Sequence, residues 1–176
     1  MKQIILIFLL LSSAFVYSQK EESKIIVEPL IGLDIANDGD GGRGFNTSIS
    51  IGKPVIETLI FGLGLEYIYD AHSVDGGDKE EKILMLKPFV RQYIGRGDVR
   101  LYIQPGASIG RVKVDYGGDN LKDFVFGFSG DIGTSIKLGN KTSLMLGTYY
   151  DRMFSDIDVK IREYRIGIKC GLSFNL

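Results

Sequence analysis

The sequence contains no tryptophan, one cysteine and only four prolines, and its formal net charge is −1. A single cysteine, Cys170, cannot form an intramolecular disulfide, so a disulfide-stapled scaffold is excluded. Because the charge is nearly balanced, nothing indicates nucleic-acid binding, and we expect no nucleic-acid partner. No long helical pattern follows the N-terminal segment. Glycine, in contrast, is abundant, with 23 residues. Glycines within strands leave room where a wall curves or a lumen is narrow.

The N-terminus has the layout of a secretory signal. Its apolar run, Ile4–Leu11, is shorter than the ~20 residues that a membrane-spanning helix needs. Val16 and Ser18 suit the positions before a signal-peptidase cleavage site. An uncleaved anchor is the alternative, but polar residues follow at once, which disfavours it. We therefore predict a signal peptide over residues 1–18 and one mature domain over residues 19–176.

The last stretch of the chain alternates in polarity. Every second side chain from Tyr164 to Leu176 is apolar, and the side chains between them are charged, polar or small. An extended chain places such alternate residues on opposite faces. Glu163, Arg165 and Lys169 share the polar face with glycines. This pattern is typical of a barrel wall with lipid outside and a narrow polar lumen inside.

The same alternation recurs along the whole mature chain. The predicted strands are Ile25–Ala36, Phe45–Gly52, Leu59–Asp70, Lys82–Ile94, Arg100–Gly110, Phe124–Leu138, Ser143–Asp151 and Ile161–Leu176. Long polar loops are predicted at Asn37–Gly44, Ala71–Glu81, Arg111–Asp123 and Arg152–Lys160, and short connections at Lys53–Glu57, Gly95–Asp98 and Gly139–Thr142. Each strand is near the ~9–11 residues that cross a bilayer at a tilt. Open sheet edges are not tolerated in lipid, so the first strand must pair with the last. The predicted fold class is all-β, an eight-stranded antiparallel up-and-down transmembrane β-barrel.

Three stretches carry a family resemblance: Tyr17–Gln19, the run L-K-P-F-V-R-Q-Y-I at Leu86–Ile94, and the final G-L-S-F-N-L at Gly171–Leu176. With them the mature chain resembles the outer-membrane β-barrel domain family common in Bacteroidetes-type bacteria, which is similar in build to the OmpA/OmpX type. The resemblance implies a monomer in the cell outer membrane, in contact with outer-membrane lipid and lipopolysaccharide. It also implies recognition by the barrel-assembly machinery through an assembly signal at the last strand, which we assign to Tyr164, Phe174 and Leu176. In the family the last residue is usually aromatic, whereas here Leu176 is last.

The inward faces of the predicted strands carry both signs of charge. We predict a lumen charge network of Glu28, Asp34, Glu66, Asp70, Lys87, Arg91, Arg100, Asp131, Lys137, Asp151, Arg165 and Lys169. An eight-stranded barrel is only wide enough for side chains, so these residues are expected to pair into a plug. A conducting pore is the alternative.

The preferred function is a structural or surface-interaction role, with loops that contact lipopolysaccharide, host or envelope partners. A small channel or a transporter of hydrophobic molecules would need an open lumen. A lipid A-modifying enzyme is a lesser alternative, because His72 and Ser73 follow Asp70 closely, although neighbours in sequence do not make a catalytic triad. A soluble lipocalin-like carrier would need the two strand faces to be reversed. The run Asp38–Gly42 lacks the later glycine and glutamate of an EF-hand loop, and we expect no metal site and no cofactor.

Overall fold

The computed structural model describes residues 24–37, 43–74, 77–116, 119–155 and 163–176. The strands are β1 (Ile26–Asn37), β2 (Arg43–Ile56), β3 (Leu59–Val74), β4 (Gly77–Ile94), β5 (Val99–Tyr116), β6 (Asp119–Lys137), β7 (Thr142–Ser155) and β8 (Tyr164–Asn175). Each strand pairs antiparallel with its neighbours in the chain, and β1 pairs antiparallel with β8, which closes the barrel. The predicted fold class is confirmed. Within these residue ranges, no helix is long and apolar enough to cross a membrane.

Alternation decides which face of each strand turns outward. On β8, Ile166 and Ile168 are exposed, whereas Arg165, which directly precedes Ile166, is 1% exposed. Large apolar side chains form a continuous exposed band around the barrel, with Ile35 at 66% and Phe128 at 63% exposure. Soluble monomers rarely expose apolar patches larger than a few hundred Å². The band is therefore the lipid-facing surface, and the reversed arrangement of a soluble lipocalin-like carrier is wrong for this chain.

Two of the predicted long loops are wrong, because most of their residues belong to strands. Ala71–Val74 belongs to β3, and residues 77–81 belong to β4, so that only residues 75–76 separate the two strands. Likewise, most of the predicted loop at Arg111–Asp123 extends β5 and β6, and only residues 117–118 lie between them. The predicted connection at Lys53–Glu57 is also largely strand, because β2 continues to Ile56.

The strand extensions have a simple physical origin. On β5, Val112 and Val114 point into the barrel at 1% and 0% exposure, while the alternate residues Lys113 and Asp115 point outward. Alternation thus continues, but the outward positions turn from apolar to charged. From the sequence alone these charged residues predict a loop. In the structure they belong to the parts of the strands that extend beyond the apolar band.

Several predictions fall on other parts of the chain. The predicted signal peptide, residues 1–18, lies outside the described residues. So do residues 38–42 and 156–162, which hold most of the first and last predicted long loops.

The short turn predicted at Gly95–Asp98 does connect β4 to β5. Gly95 and Gly97 adopt φ values of 95° and 99° there, a region that glycine enters at little cost.

The interior of the barrel is filled with side chains in layers. A lower apolar cluster lies near the chain termini and the short turns and comprises Ile26, Leu30, Ile60, Phe89, Tyr93, Tyr102 and Met145. An upper apolar cluster lies toward the opposite end and comprises Ile68, Ile83, Met85, Val112, Val114, Val125 and Met153. Between the clusters the inward positions are charged. On β4, for example, Lys87 stands between Met85 and Phe89. The charged layer is therefore enclosed above and below by apolar side chains.

Candidate functional site

The lowest ion pair in the lumen joins β1 to β4 at the level of the lower apolar cluster. Arg91 Nη1 and Nη2 lie 2.5 and 2.7 Å from the two carboxylate oxygens of Glu28, a bidentate pair. Both residues are 1% exposed. Ser50 donates a further hydrogen bond to Glu28 at 3.1 Å. Because β1 and β4 are not neighbours in the sheet, this pair spans the lumen from wall to wall.

The Arg91 guanidinium is also held by amide and aromatic groups. Its Nε donates to Gln104 Oε1 at 2.7 Å. The rings of Phe89 and Tyr102 lie 5.4 and 5.1 Å from the guanidinium carbon, within cation–π range. Gln104 in turn donates to Asp131 Oδ2 at 2.6 Å, and that carboxylate pairs with Lys169. A continuous chain of contacts thus links the lower ion pair to the middle of the barrel.

The middle of the lumen holds a lysine between two acids. Lys87 Nζ lies 2.6 Å from Glu66 Oε2 and 2.7 Å from Asp151 Oδ1. These residues come from β3, β4 and β7, so the shared lysine ties opposite sides of the barrel together. Higher up, Arg165 Nη2 lies 2.6 Å from Asp34 Oδ2, and Tyr149 donates its hydroxyl to the same carboxylate.

Mutual pairing has an energetic reason. Moving a lone charge out of water into a protein interior costs several kcal/mol, and a partner with good geometry offsets that cost. Removing one partner therefore typically costs ~3–5 kcal/mol, since the other charge is left buried. The Glu28–Arg91 and Lys87–Asp151 pairs join strands that are not neighbours in the sheet, so they cross-brace the barrel wall.

The remaining predicted network residues lie elsewhere. Asp70 is buried near the upper end, directly across from Glu81 on β4. Arg100 is partly exposed at the lower end, with its guanidinium carbon 4.5 Å from the centre of the Tyr93 ring. Lys137 is 51% exposed, and its Nζ lies 4.0 Å from Asp98 beside the short turn. The structure thus places Lys137 outside the enclosed lumen.

Sequence reasoning missed the uncharged members of the lumen. Gln104, Tyr149 and Tyr102 complete the contacts of the charged side chains. All occupy inward positions, which is the signal that could have identified them. The apolar clusters above and below the charged layer were missed for a different reason. Each combines residues of five strands, and no single segment reveals them.

Little space remains within the charged layer. A cavity of about 40 Å³ lies among its side chains, bordered by Glu66, Lys87, Asp131 and Lys169. One buried water needs ~10–15 Å³ of such volume, so the cavity is of a size for a few waters. Below the lower apolar cluster an open vestibule of about 990 Å³ ends at Ile60 and Tyr93.

The closed eight-stranded barrel with an apolar outer band agrees with a family comparison. Residues 4–174 match the family described as the outer membrane protein β-barrel domain. The chain belongs to this family. It is thus an outer-membrane protein, and in such barrels the short turns face the periplasm and the opposite end faces the exterior.

Solved structures of other outer-membrane barrels are similar to this one. Neisserial surface protein A superposes with a TM-score of 0.68 at 17% identity, over 89% of this chain and 100% of that chain. The N-terminal β-barrel domain of OprF from Pseudomonas aeruginosa gives 0.58 at 10% identity, over 88% and 100%. Ail from Yersinia pestis, in complex with the heparin analogue sucrose octasulfate, gives 0.56 at 13% identity, over 88% and 99%. These likenesses show the fold. No curated protein sequence matches this chain.

Toward the exterior, the wall of this barrel continues beyond the apolar band. On β4 the outward positions change from Leu84 to Lys82 and Glu80, whose charged groups lie 2.7 Å apart. On β5, Lys113 Nζ lies 3.1 Å from Asp115 Oδ2. The hydrogen bond to Glu80 raises the pKa of Lys82, and the hydrogen bond from Lys113 lowers the pKa of Asp115. A charged outer face indicates that this part of the barrel wall stands in water above the membrane.

Proposed function

We propose that this protein is a structural, surface-interacting outer-membrane barrel whose lumen is plugged by side chains. The observation that carries the proposal is the enclosed charged layer, in which ion pairs fill the lumen between two apolar clusters and leave a cavity of about 40 Å³. An ion would have to break several buried pairs and pass both clusters. The charged groups are engaged with one another, and the space beside them is too small for a substrate, so the proposed role is not enzymatic.

The outer part of the barrel supports the surface-interaction role. Strands β3 to β6 extend as paired strands beyond the apolar band, and their outward side chains there are charged. A rigid charged wall of this kind suits contact with lipopolysaccharide and other envelope or host components. The similar structure of Ail carries a bound polyanion, sucrose octasulfate. We further propose a monomer, delivered by the barrel-assembly machinery through Tyr164, Phe174 and Leu176 on the last strand.

A small channel is the competing function, and planar-bilayer recording separates the two. We expect no steady conductance from the wild-type protein. The change Arg91→Ala removes the side chain that joins Glu28 to Gln104, and Glu66→Ala frees Lys87 from one of its acids. Both changes are expected to produce measurable conductance, because each opens space in the charged layer.

The matched control for this experiment is Lys137→Ala, which removes a charge outside the enclosed lumen. It is expected to remain silent. Steady conductance from the wild-type barrel would replace the plugged-barrel proposal with a channel. Each variant must first show the folded band on an unboiled gel, so that silence is not mistaken for failure to insert.

A further inference from the structure

Three outward-facing cations lie near the upper border of the apolar band. Arg111 on β5, Lys122 on β6 and Arg152 on β7 are all exposed. None of them forms an ion pair with another residue in the described part of the chain. Lys122 stands directly opposite Lys113, which itself stands opposite Lys82 on β4. Like charges in directly opposed positions are destabilising. Glu80 and Asp115 offset only part of this row, so the patch keeps an excess of positive charge.

Aromatic side chains adjoin these cations on the outward face of the wall. Arg111 is paired across the strands with Phe124, and Arg152 with Phe128. Phe154 stacks on Phe126 with ring centroids 5.3 Å apart, and the Arg152 guanidinium carbon lies 5.3 Å from the Phe154 ring. Outward-facing phenylalanines at this height are in contact with lipid. Arg111 and Arg152 lie beside these rings, and Lys113 and Lys122 follow toward the exterior. The cations therefore lie at the border between lipid-facing rings and the charged outer wall, which is the level of lipid headgroups.

The chemistry of this border suits phosphate. Arginine binds phosphate oxygens through paired N–H groups, and lysine adds a compact charge. Long cationic side chains can lie along apolar surface while their charged ends reach the interface. An anion between Lys113 and Lys122 would also relieve the repulsion of that directly opposed pair.

We propose that Arg111, Lys113, Lys122 and Arg152 form a binding site for the phosphate groups of an outer-leaflet glycolipid, whose acyl chains lie on the adjoining phenylalanines. This proposal locates the lipopolysaccharide contact on the outer surface of β5 to β7. It rests on the proposed surface-interaction role. A soluble polyanion could in principle use the same cations. The observations favour a lipid, because the cations lie beside lipid-facing rings on the outward face of the wall.

Native mass spectrometry of the detergent-purified protein tests this site. Bisphosphorylated lipid A, its dephosphorylated form and sucrose octasulfate serve as the probes. The wild-type protein is expected to retain the bisphosphorylated lipid about tenfold or more better than the dephosphorylated form, since the dephosphorylated form lacks the charged groups that accept these hydrogen bonds. This comparison needs no variant and so does not depend on the folding of one.

The double change Arg111→Gln with Lys122→Gln is expected to remove most of that preference. Its control is Lys53→Gln with Lys141→Gln, two exposed lysines at the periplasmic end, which should leave the preference unchanged. Equal retention of the two lipids by the wild type, or an unchanged preference in the double variant, would overturn the proposal. Tighter binding of sucrose octasulfate than of the phosphorylated lipid would assign the patch to soluble polyanions instead. Conductance plays no part in these readouts, so a failed lumen plug and a failed lipid site remain distinguishable.

Discussion

At the scale of single residues, most buried carboxylates of the lumen accept hydrogen bonds from a donor on another strand. Asp34 is the clearest case, since Arg165 donates from β8 and Tyr149 donates from β7. The partners are separated by 131 and 115 residues in the chain. The sequence placed Asp34 and Arg165 on inward faces, but nothing in it singled out this pairing. The alternation of apolar and polar residues predicts whether each side chain points inward or outward. Which inward side chains meet depends on the height of each residue along the barrel axis.

We expect Asp34→Ala to destabilise the barrel by about 3–5 kcal/mol, because Arg165 would be left buried without its acid. The measurement is the free energy of unfolding in urea, with the protein refolded into lipid vesicles. Asp98→Asn is the control, since Asp98 is 81% exposed and its distance to Lys137 is 4.0 Å. It should have no measurable effect. A wild-type stability for Asp34→Ala would mean that the pair does not brace the wall.

At the scale of strands, glycines on the inward face make room for the aromatic rings that fill the lumen. On β6, a Cβ built at Gly133 would lie 2.2 Å from the Leu146 carbonyl oxygen and 2.6 Å from the Tyr102 hydroxyl, closer than side chains approach. At Gly130, on the same strand but facing outward, a Cβ would meet nothing within 4 Å. The abundance of glycine was evident from the sequence. Which glycines are indispensable was not, because this depends on the ring carried by the neighbouring strand.

The change Gly133→Ala is therefore expected to destabilise the barrel by about 1–3 kcal/mol, since Tyr102 or the strand must shift to accept the methyl group. Gly130→Ala on the same strand should be close to neutral. Urea midpoints of the two variants, refolded into the same lipid, provide the comparison. Equal midpoints would show that the lumen is more loosely packed around Tyr102 than the structure indicates.

At the scale of the whole molecule, closure of the barrel makes its strands a single cooperative unit. The pairing of β1 with β8 leaves no open edge within the membrane band, as an apolar environment requires. The ion pairs across the lumen and the two apolar clusters reinforce the closed wall from inside. Partial opening would expose unpaired backbone and buried charges together.

We expect this closed state to resist detergent at room temperature. On a denaturing gel the unboiled protein should run as a faster, compact band that shifts to slower migration after boiling. The shift should be accompanied by loss of β-sheet signal in circular dichroism. A protein that migrates identically with and without boiling would lack the detergent-resistant closure expected here.

The sequence by itself determined the architecture and the location of this protein. Its alternating pattern set the number of strands and their facing, and the requirement that backbone groups be paired in lipid made closure necessary. The tertiary structure alone decided where the strands end, which charges meet and how the side chains of the lumen pack. Above the apolar band the outward residues become polar, so the sequence there lacks the apolar outward face by which a membrane strand is identified. Val112 and Val114 nevertheless still point inward. Inside, Arg91 reaches a Glu28 that is 63 residues away, because the height and tilt of the strands bring them to one level.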